Sequence, residues 1–246
     1  MKIIAIGDVH GSSEWKNVKP ENYDKVVFMG DYVDDFDRTD EEIIQNLKDI
    51  IELKKNNVDK VVLLLGNHDI QYILWNTPLF DSVRCIGFRN SYLFHLYHLF
   101  ETYKDYFQVV YQIQNYLFTH AGISNEAWNL YFLEKASSKE FVGGMENSPI
   151  VYFLNKLWEL KDSSLFHIGV LRGGLSDYGS IFWADMGETV RYPLNGYHQV
   201  VGHTPVKVVT KWEIDSKTSI TYIDAHYGNK EFYELEIKDE ISKSEI

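Results

Sequence analysis

Short runs of apolar residues, many of them β-branched, recur along the chain and are bounded by polar turn residues. These runs are Ile3–Ile6, Val26–Met29, Val61–Leu65, Tyr116–Phe118, Val200–Val201 and Ile220–Ile223. Most are continuously apolar rather than alternating, which is typical of strands that are covered on both faces. The pattern therefore predicts an α/β fold with a buried sheet.

Between the second and third of these runs, apolar residues recur at helical spacing. The segment begins with an acidic turn after Thr39 and ends with Lys54 and Lys55, which suits the two ends of a helix. It predicts a helix over Thr39–Asn56. With the strands on either side, this helix forms a right-handed βαβ unit.

The remaining segments divide into further helices, loops and strands. Helices are predicted over Ser91–Tyr103, Glu126–Ala136 and Ile150–Leu160, a loop over Ser137–Ser148, and strands from about Tyr197 with a turn at Lys211–Ser219. The chain has no internal repeat or Pro-rich linker. A single domain is therefore expected over residues 1–237, with aromatic-rich helical insertions at about 70–110 and 125–175 and a charged tail at 238–246.

Composition narrows the classes of protein that fit. Of the 246 residues, 45% are hydrophobic, which is enough for a packed core and excludes a disordered chain. The 36 acidic and 24 basic residues give a net charge of −12, so stable nucleic-acid binding is not expected. Bound cations would still allow anionic substrates.

The lengths of the apolar runs and the number of cysteines indicate in which cellular compartment the protein is expected. No apolar run approaches the ~20 residues that cross a bilayer, and Cys85 is the single cysteine. We expect a cytoplasmic protein without membrane contact, in which Cys85 is buried and inert.

Residues that can bind metal follow the predicted strands. They are Asp8 and His10 after the first run, Asp31 and Asp34 after the second, Asn67, His68 and Asp69 after the third, His120 after the fourth, His203 after the fifth and His226 after the sixth. Ligands of open α/β sheets gather beyond the carboxyl ends of the strands. We therefore expect these side chains to meet at one edge, with His226 a further candidate to line the site.

Carboxylates, imidazoles and a carboxamide predict a site for two divalent ions, manganese first and iron or zinc as alternatives. The set holds more ligands than one ion usually takes, and two ions about 3.5–4 Å apart are a common arrangement for phosphoester hydrolysis. Such a pair polarises the phosphoryl oxygen and converts a bridging water into hydroxide. His68 is the candidate donor of the proton that the leaving oxygen needs, oriented by a nearby carboxylate.

Five short motifs occur in one order along the chain. They are Gly7-Asp8-Val9-His10-Gly11, Gly30-Asp31-Tyr32-Val33-Asp34, Gly66-Asn67-His68-Asp69, His120-Ala121-Gly122 and Gly202-His203-Thr204. Together they resemble the signatures of the calcineurin-like metallophosphoesterase superfamily. The second motif is most similar to the serine/threonine phosphoprotein phosphatase and bacteriophage phosphatase branch.

The resemblance implies a four-layer αββα sandwich, in which helices flank two mixed β-sheets. It also implies a role for each strand-end residue. The first ion would be bound by Asp8 and His10, both ions by Asp31, and the second ion by Asn67, His120 and His203. His68 would protonate the leaving group and pair with Asp34.

Two departures from the pattern concern the arginines that bind substrate phosphate. Asp35 stands where the phosphatase branch has an arginine, and Ala184 follows Trp183 where related enzymes have another. A carboxylate repels a phosphate dianion, so a different arginine has to replace the missing one. Arg172 is the first candidate and Arg38 the second.

The sequence therefore predicts hydrolysis of a phosphomonoester on a phosphorylated small molecule, a nucleotide or a phosphoprotein, the last in the manner of a serine/threonine phosphatase. A nucleotide pyrophosphohydrolase of dinucleoside polyphosphate type would share all of the ligands and stays open. A catalytically inactive metal-binding interaction module is the third hypothesis. His68 and Asp34 argue against it, because a structural site has no use for a proton donor.

Overall fold

The computed structural model of the chain describes residues 1–138, 149–225 and 231–238. The strands in these ranges are β1 (Lys2–Ile6), β2 (Lys25–Phe28), β3 (Val61–Leu64), β4 (Phe107–Gln108), β5 (Val110–Ile113), β6 (Tyr116–Thr119), β7 (His198–Val201), β8 (Thr210–Glu213), β9 (Ser219–Tyr222) and β10 (Tyr233–Glu236). The helices are α1 (Asp40–Asn56), α2 (Asn67–Ile73), α3 (Phe80–Val83), α4 (Leu93–Thr102), α5 (Asn125–Ala127), α6 (Leu133–Ala136), α7 (Pro149–Glu159) and α8 (Met186–Thr189). A π-helical turn, Trp128–Phe132, joins α5 to α6.

The described strands form two mixed sheets. The first has the order β10-β1-β2-β3-β4, in which β1 to β4 are parallel and β10 is antiparallel. The second has the order β5-β6-β7-β9-β8, in which β6, β7 and β9 are parallel and both edge strands are antiparallel. The carboxyl ends of the central strands of each sheet carry the loops that build the site.

Successive residues of β1, β2 and β3 point into two different cores, as the pleat of a strand requires. One face carries Ile3, Ala5, Val27, Met29, Val62 and Leu64, which pack with Phe118, Val200 and Ile223 of the second sheet. The other face carries Ile4, Ile6, Val26, Phe28, Val61 and Leu63, which pack with Ile43, Leu47 and Ile50 of α1. On the outer face of the second sheet, Ile220 and Tyr222 pack with Met186 of α8. Two mixed sheets between helices are thus confirmed.

Helix α1 begins with the capping arrangement that its sequence predicts. The Thr39 hydroxyl accepts a hydrogen bond from the Glu42 backbone N–H, and the Glu42 carboxylate accepts one from the Thr39 backbone N–H at 2.8 Å. Both bonds satisfy donors that the first helical turn leaves unpaired. The helix therefore starts at a fixed residue immediately after the loop that holds Asp34 and Asp35.

One predicted turn joins two strands as expected but is too long. The segment Lys211–Ser219 contains most of β8, which pairs with β9 through a hairpin at residues 214–218. The side chains of β8 are largely exposed at the edge of the sheet, so the strand has no apolar run to reveal it. The other predicted strands and helices are confirmed, with Glu126–Ala136 interrupted by the π-helical turn.

Some predictions concern residues that the structure does not describe. The loop Ser137–Ser148 lies outside the described residues from 139 onward, the tail 238–246 from 239 onward, and His226 also lies outside them. Within the described residues, none of the helices has both the length and the apolar character that a bilayer crossing requires.

Candidate metal centre and active site

The loops after β1, β2, β3 and β7 converge on one cavity of about 560 Å³. Seven of the predicted site residues line it, namely Asp8, His10, Asp31, Asn67, His68, Arg172 and His203. His120 is fully buried behind them, and Asp34 is buried beside His68. Side chains up to 195 positions apart in sequence are therefore neighbours, as the strand-end pattern predicts.

The first group of possible ligands surrounds His10. Its Nδ1 lies 3.0 Å from the carbonyl oxygen of Val33 and 2.7 Å from that of Asp34, which makes Nδ1 the protonated nitrogen. Nε2 therefore keeps its lone pair. It lies 4.0 Å from Oδ2 of Asp8 and 3.9 Å from Oδ2 of Asp31. The ligand atoms of His10, Asp31 and His68 all lie within 4.8 Å of one another, close enough to hold one cation, and these three residues form the first group.

The second group lies between the two sheets and shares Asp31 with the first. Nε2 of His120 is 3.4 Å from Oδ2 of Asp31 and 2.9 Å from Oδ1 of Asn67. Nδ1 of His203 is 2.8 Å from the same Asn67 oxygen, while its Nε2 is buried and has no hydrogen-bond partner among the described residues. Nδ1 of His120 donates to the carbonyl oxygen of Met29 at 2.9 Å, which fixes its ring orientation.

The charge of this cluster fits two divalent ions. Burial raises the pKa of Asp8 well above its usual value, and the charges of Asp224 and Asp31 raise it further. Burial also lowers the pKa of His203 well below its usual value, so this imidazole is neutral. Among the described residues no lysine or arginine forms an ion pair with Asp8 or Asp31. Buried carboxylates beside neutral imidazoles need a cation, and divalent metals bind this donor set.

Four site residues have left-handed backbone conformations. The φ angles are 45° at His10, 50° at Asp31, 63° at Asp34 and 61° at His203. Residues other than glycine seldom adopt this region, although aspartate and histidine do so more often than most. Such strain persists only where the surrounding structure fixes it, so these loops are rigidly built.

Asp69 supplies much of that rigidity. Its carboxylate accepts hydrogen bonds from the backbone N–H groups of Asp31, Tyr32 and Gly66, at 2.8, 2.9 and 2.9 Å. A Cβ atom at Gly66 would lie 2.1 Å from Oδ1 of Asp31, so only glycine allows this approach. Asp69 thus joins the loops after β2 and β3 and belongs to neither group of possible ligands.

His68, which belongs to the first group of possible ligands, forms a hydrogen-bonded pair with Asp34. Nδ1 of His68 lies 2.9 Å from Oδ2 of Asp34. The buried Asp34 carboxylate also accepts from Gln71 at 2.5 Å, Tyr72 at 2.5 Å and Tyr92 at 2.6 Å. Four donors hold this carboxylate in one orientation, which leaves Nε2 of His68 available to a bound substrate.

The two arginines expected to bind phosphate lie in different surroundings. Arg172 lines the cavity, where its Nε forms an ion pair with Asp185 at 2.8 Å and its Nη2 donates to Thr204 at 2.5 Å. Arg38 forms an ion pair with Asp35 at 2.8 Å and is not among the described residues that line the cavity. Asp35 is therefore neutralised by Arg38 and does not face an incoming phosphate alone.

Sequence reasoning missed several cavity residues. Cys85, expected to be buried and inert, is half-buried in the cavity wall with Sγ 3.7 Å from Nδ1 of His68. Its neighbours Arg84 and Ile86 and, from other loops, Trp183 and Asp224 also line the cavity. The Arg84–Ile86 segment has no apolar periodicity, so no sequence signal could have placed it there.

The chain was compared with known proteins. A sequence model of the family described as calcineurin-like phosphoesterase matches residues 1–241. The comparison with curated proteins found no match. The matched range includes both sheets and every residue of the two metal-binding groups.

Proposed function

The chain belongs to the calcineurin-like phosphoesterase family, whose members are metal-dependent hydrolases of phosphoric esters, and from this premise we propose that it hydrolyses a phosphomonoester. The proposal is carried by one observation: two groups of possible metal ligands that share Asp31 lie in one cavity, and His68 of the first group is hydrogen-bonded to the buried Asp34 carboxylate. A pair of divalent ions, when bound, supplies Lewis acidity and an activated water molecule.

Each metal-binding residue has a proposed role. Asp8 and His10 would hold the first ion, Asp31 would hold both, and Asn67, His120 and His203 would hold the second. The presence of Asp31 in both groups supports its bridging role. Manganese, iron or zinc fits the oxygen and nitrogen donors.

His68 is the proposed proton donor to the leaving oxygen, through Nε2. Burial lowers the pKa of His68, but the Asp31 charge and the hydrogen bonds to Asp34 and Cys85 outweigh it and raise the pKa well above its usual value. A raised pKa favours the protonated imidazole that a general acid requires. Asp34 orients the ring and stabilises its charge.

Arg172 is the proposed ligand of the transferred phosphoryl group, and Arg38 ranks below it. Arg172 lines the cavity and is bound to Thr204, the residue after His203. Its guanidinium is thus fixed beside the second metal group. An arginine so placed can donate two hydrogen bonds to a phosphate.

Metal analysis joined to an activity screen tests the proposal. The purified protein is stripped, reloaded with Mn²⁺, Fe²⁺, Zn²⁺ or Mg²⁺, and assayed for phosphate release from a phosphopeptide, a nucleoside monophosphate and a dinucleoside tetraphosphate. Release from a monoester supports the proposal, whereas cleavage of the tetraphosphate alone favours the pyrophosphohydrolase. An enzyme that binds metal but is inert towards all three is the interaction module.

A further inference from the structure

Arg84 is a basic residue of the cavity wall that the rest of the described chain does not neutralise. Its exposed guanidinium lies over the Phe80 ring, 5.8 Å from the centroid. No carboxylate or hydrogen-bond acceptor among the described residues is paired with it. In contrast, Arg38, Arg89 and Arg172 each form an ion pair with an aspartate. Arg84 is therefore available to an anion that enters the cavity.

The segment that carries Arg84 is fixed next to the proton donor. The backbone N–H of Cys85 donates to Oε1 of Gln71 at 3.1 Å, and the Cys85 thiol lies 3.7 Å from Nδ1 of His68. Gln71 belongs to α2, the helix that also carries His68. The backbone that carries Arg84 is thus hydrogen-bonded to α2, the helix that carries the proposed proton donor His68.

The same segment continues against Asp34. Gly87 has a φ of 97°, and a Cβ atom there would lie 3.2 Å from Cβ of Asp34, so the chain passes close to this carboxylate. The Phe88 ring stacks on Tyr72 at 5.0 Å, and the Tyr72 hydroxyl donates to Asp34. The backbone on the carboxyl side of Arg84 is therefore also fixed to the histidine–carboxylate pair.

A cation on the His68 side of the cavity would contact the leaving group of the substrate, because the proposed role of His68 is to protonate the leaving oxygen. Arg172 is bound instead beside the second metal group and serves the phosphoryl group that is transferred. We propose that Arg84 binds a second phosphate, carried by the leaving group, and that nucleoside diphosphates, whose terminal phosphate is joined by an anhydride rather than an ester bond, are a further substrate class of the same centre. This inference rests on the proposed phosphoesterase function. The exposed Ile86 lines the same cavity and offers an apolar contact to the organic part of such a substrate.

The reaction is a hydrolysis without any co-reactant other than water. The oxygen of water bonds to the terminal phosphorus, and the bond from that phosphorus to the bridging oxygen breaks with its electron pair on the oxygen. Water loses one proton, the bridging oxygen accepts one from His68, and the products are inorganic phosphate and a nucleoside monophosphate. The leaving phosphate gains negative charge as the bond breaks, and a guanidinium stabilises such a group through paired hydrogen bonds.

The test compares AMP with ADP, since their leaving groups differ by one phosphate, and uses p-nitrophenyl phosphate as a general substrate. In the manganese-loaded wild type we expect kcat/KM for ADP to exceed that for AMP. Arg84→Gln should lower kcat/KM for ADP by about 10- to 100-fold, and leave AMP and p-nitrophenyl phosphate within about twofold. Arg84→Lys should restore part of the ADP activity. Arg191→Gln, at an exposed arginine over Tyr192, is the matched control and should change nothing.

Two results would overturn the inference while leaving the proposed function intact. One is a wild-type enzyme that cleaves AMP and ADP equally well. The other is an Arg84→Gln variant whose three activities fall together or do not fall at all. Failure of the wild type to release phosphate from p-nitrophenyl phosphate and AMP with every metal would instead remove the proposed function and the inference with it.

Discussion

Nδ1 of His68 donates a hydrogen bond to Oδ2 of Asp34 at 2.9 Å, and three further donors bind the same carboxylate. A histidine held in this way presents its other nitrogen to a substrate in a fixed direction and in its protonated form. The geometry of this pair fits the proton transfer that we propose for His68.

Replacement of His68 by asparagine should separate these two roles. We expect His68→Asn to lower kcat by about 10²–10⁴-fold for an alkyl phosphate such as AMP, because an alkoxide leaves poorly without a proton. The loss should be smaller for p-nitrophenyl phosphate, whose leaving group is more acidic. Steady-state kinetics and metal analysis check this, with His98→Asn on the exposed face of α4 as control. Equal losses for both substrates would contradict a proton-donor role.

The pH dependence of kcat should reflect the protonation of His68. The pKa of His68 is raised, so its proton is present at neutral pH and its contribution disappears as the pH rises through that raised value. Asp34→Asn removes an acceptor that raises the pKa and should move the alkaline limb to lower pH. Profiles over about pH 6 to 10 with an alkyl phosphate measure this. If the alkaline limb were unchanged in His68→Asn, a group other than His68 would be responsible for it.

The shared position of Asp31 predicts a difference in metal content between two variants. Asp31→Asn should lose both ions, because its carboxylate belongs to both groups of ligands, whereas His203→Ala should lose the second ion only. Metal analysis after gel filtration gives the stoichiometry. Binding to the folded state should also raise stability, by about 2.7 kcal/mol when the ion is at 100 times its Kd. Chelation should therefore lower the Tm of the wild type, and Asp31→Asn should not respond.

Arg172 and Arg38 are the two candidates for the arginine that binds phosphate, and the alanine variant of each is the control for the other. Arg172→Ala should raise KM for AMP by about 10- to 100-fold, because a charged hydrogen bond to the phosphoryl group is lost. Arg38→Ala should leave KM nearly unchanged, since Arg38 is engaged by Asp35 outside the cavity lining. The reverse result would make Arg38 the phosphate ligand.

The Tyr72 hydroxyl should contribute to stability through Asp34. It donates to a buried carboxylate at 2.5 Å, and loss of a hydrogen bond to a charged group costs about 1.5–3 kcal/mol. Tyr72→Phe should lower the free energy of unfolding in urea by this amount. Tyr103→Phe is the control, since the Tyr103 ring stacks on Tyr106 and its hydroxyl meets no carboxylate among the described residues. An unchanged midpoint in Tyr72→Phe would show that the remaining donors suffice.

Sequence was sufficient for the residues that follow buried strands and insufficient for those that reach the site by tertiary contacts. Asp8, Asp31 and His203 come directly after apolar runs, and parallel strands bring such positions to one edge. Arg84 and Cys85 lie in an irregular segment whose path depends on tertiary contacts, such as the hydrogen bond from the Cys85 backbone to Gln71. Strand β8 was missed for a different reason, because an edge strand with exposed side chains has no apolar signature.

The left-handed backbone at His10, Asp31, Asp34 and His203 also bears on how the centre acquires its ions. Loops that are fixed by internal hydrogen bonds make a preformed metal-binding site, and its shape does not depend on which ion binds. Exchange of one divalent ion for another then requires no refolding, and the supply of ions in the host cell decides which of them the enzyme carries.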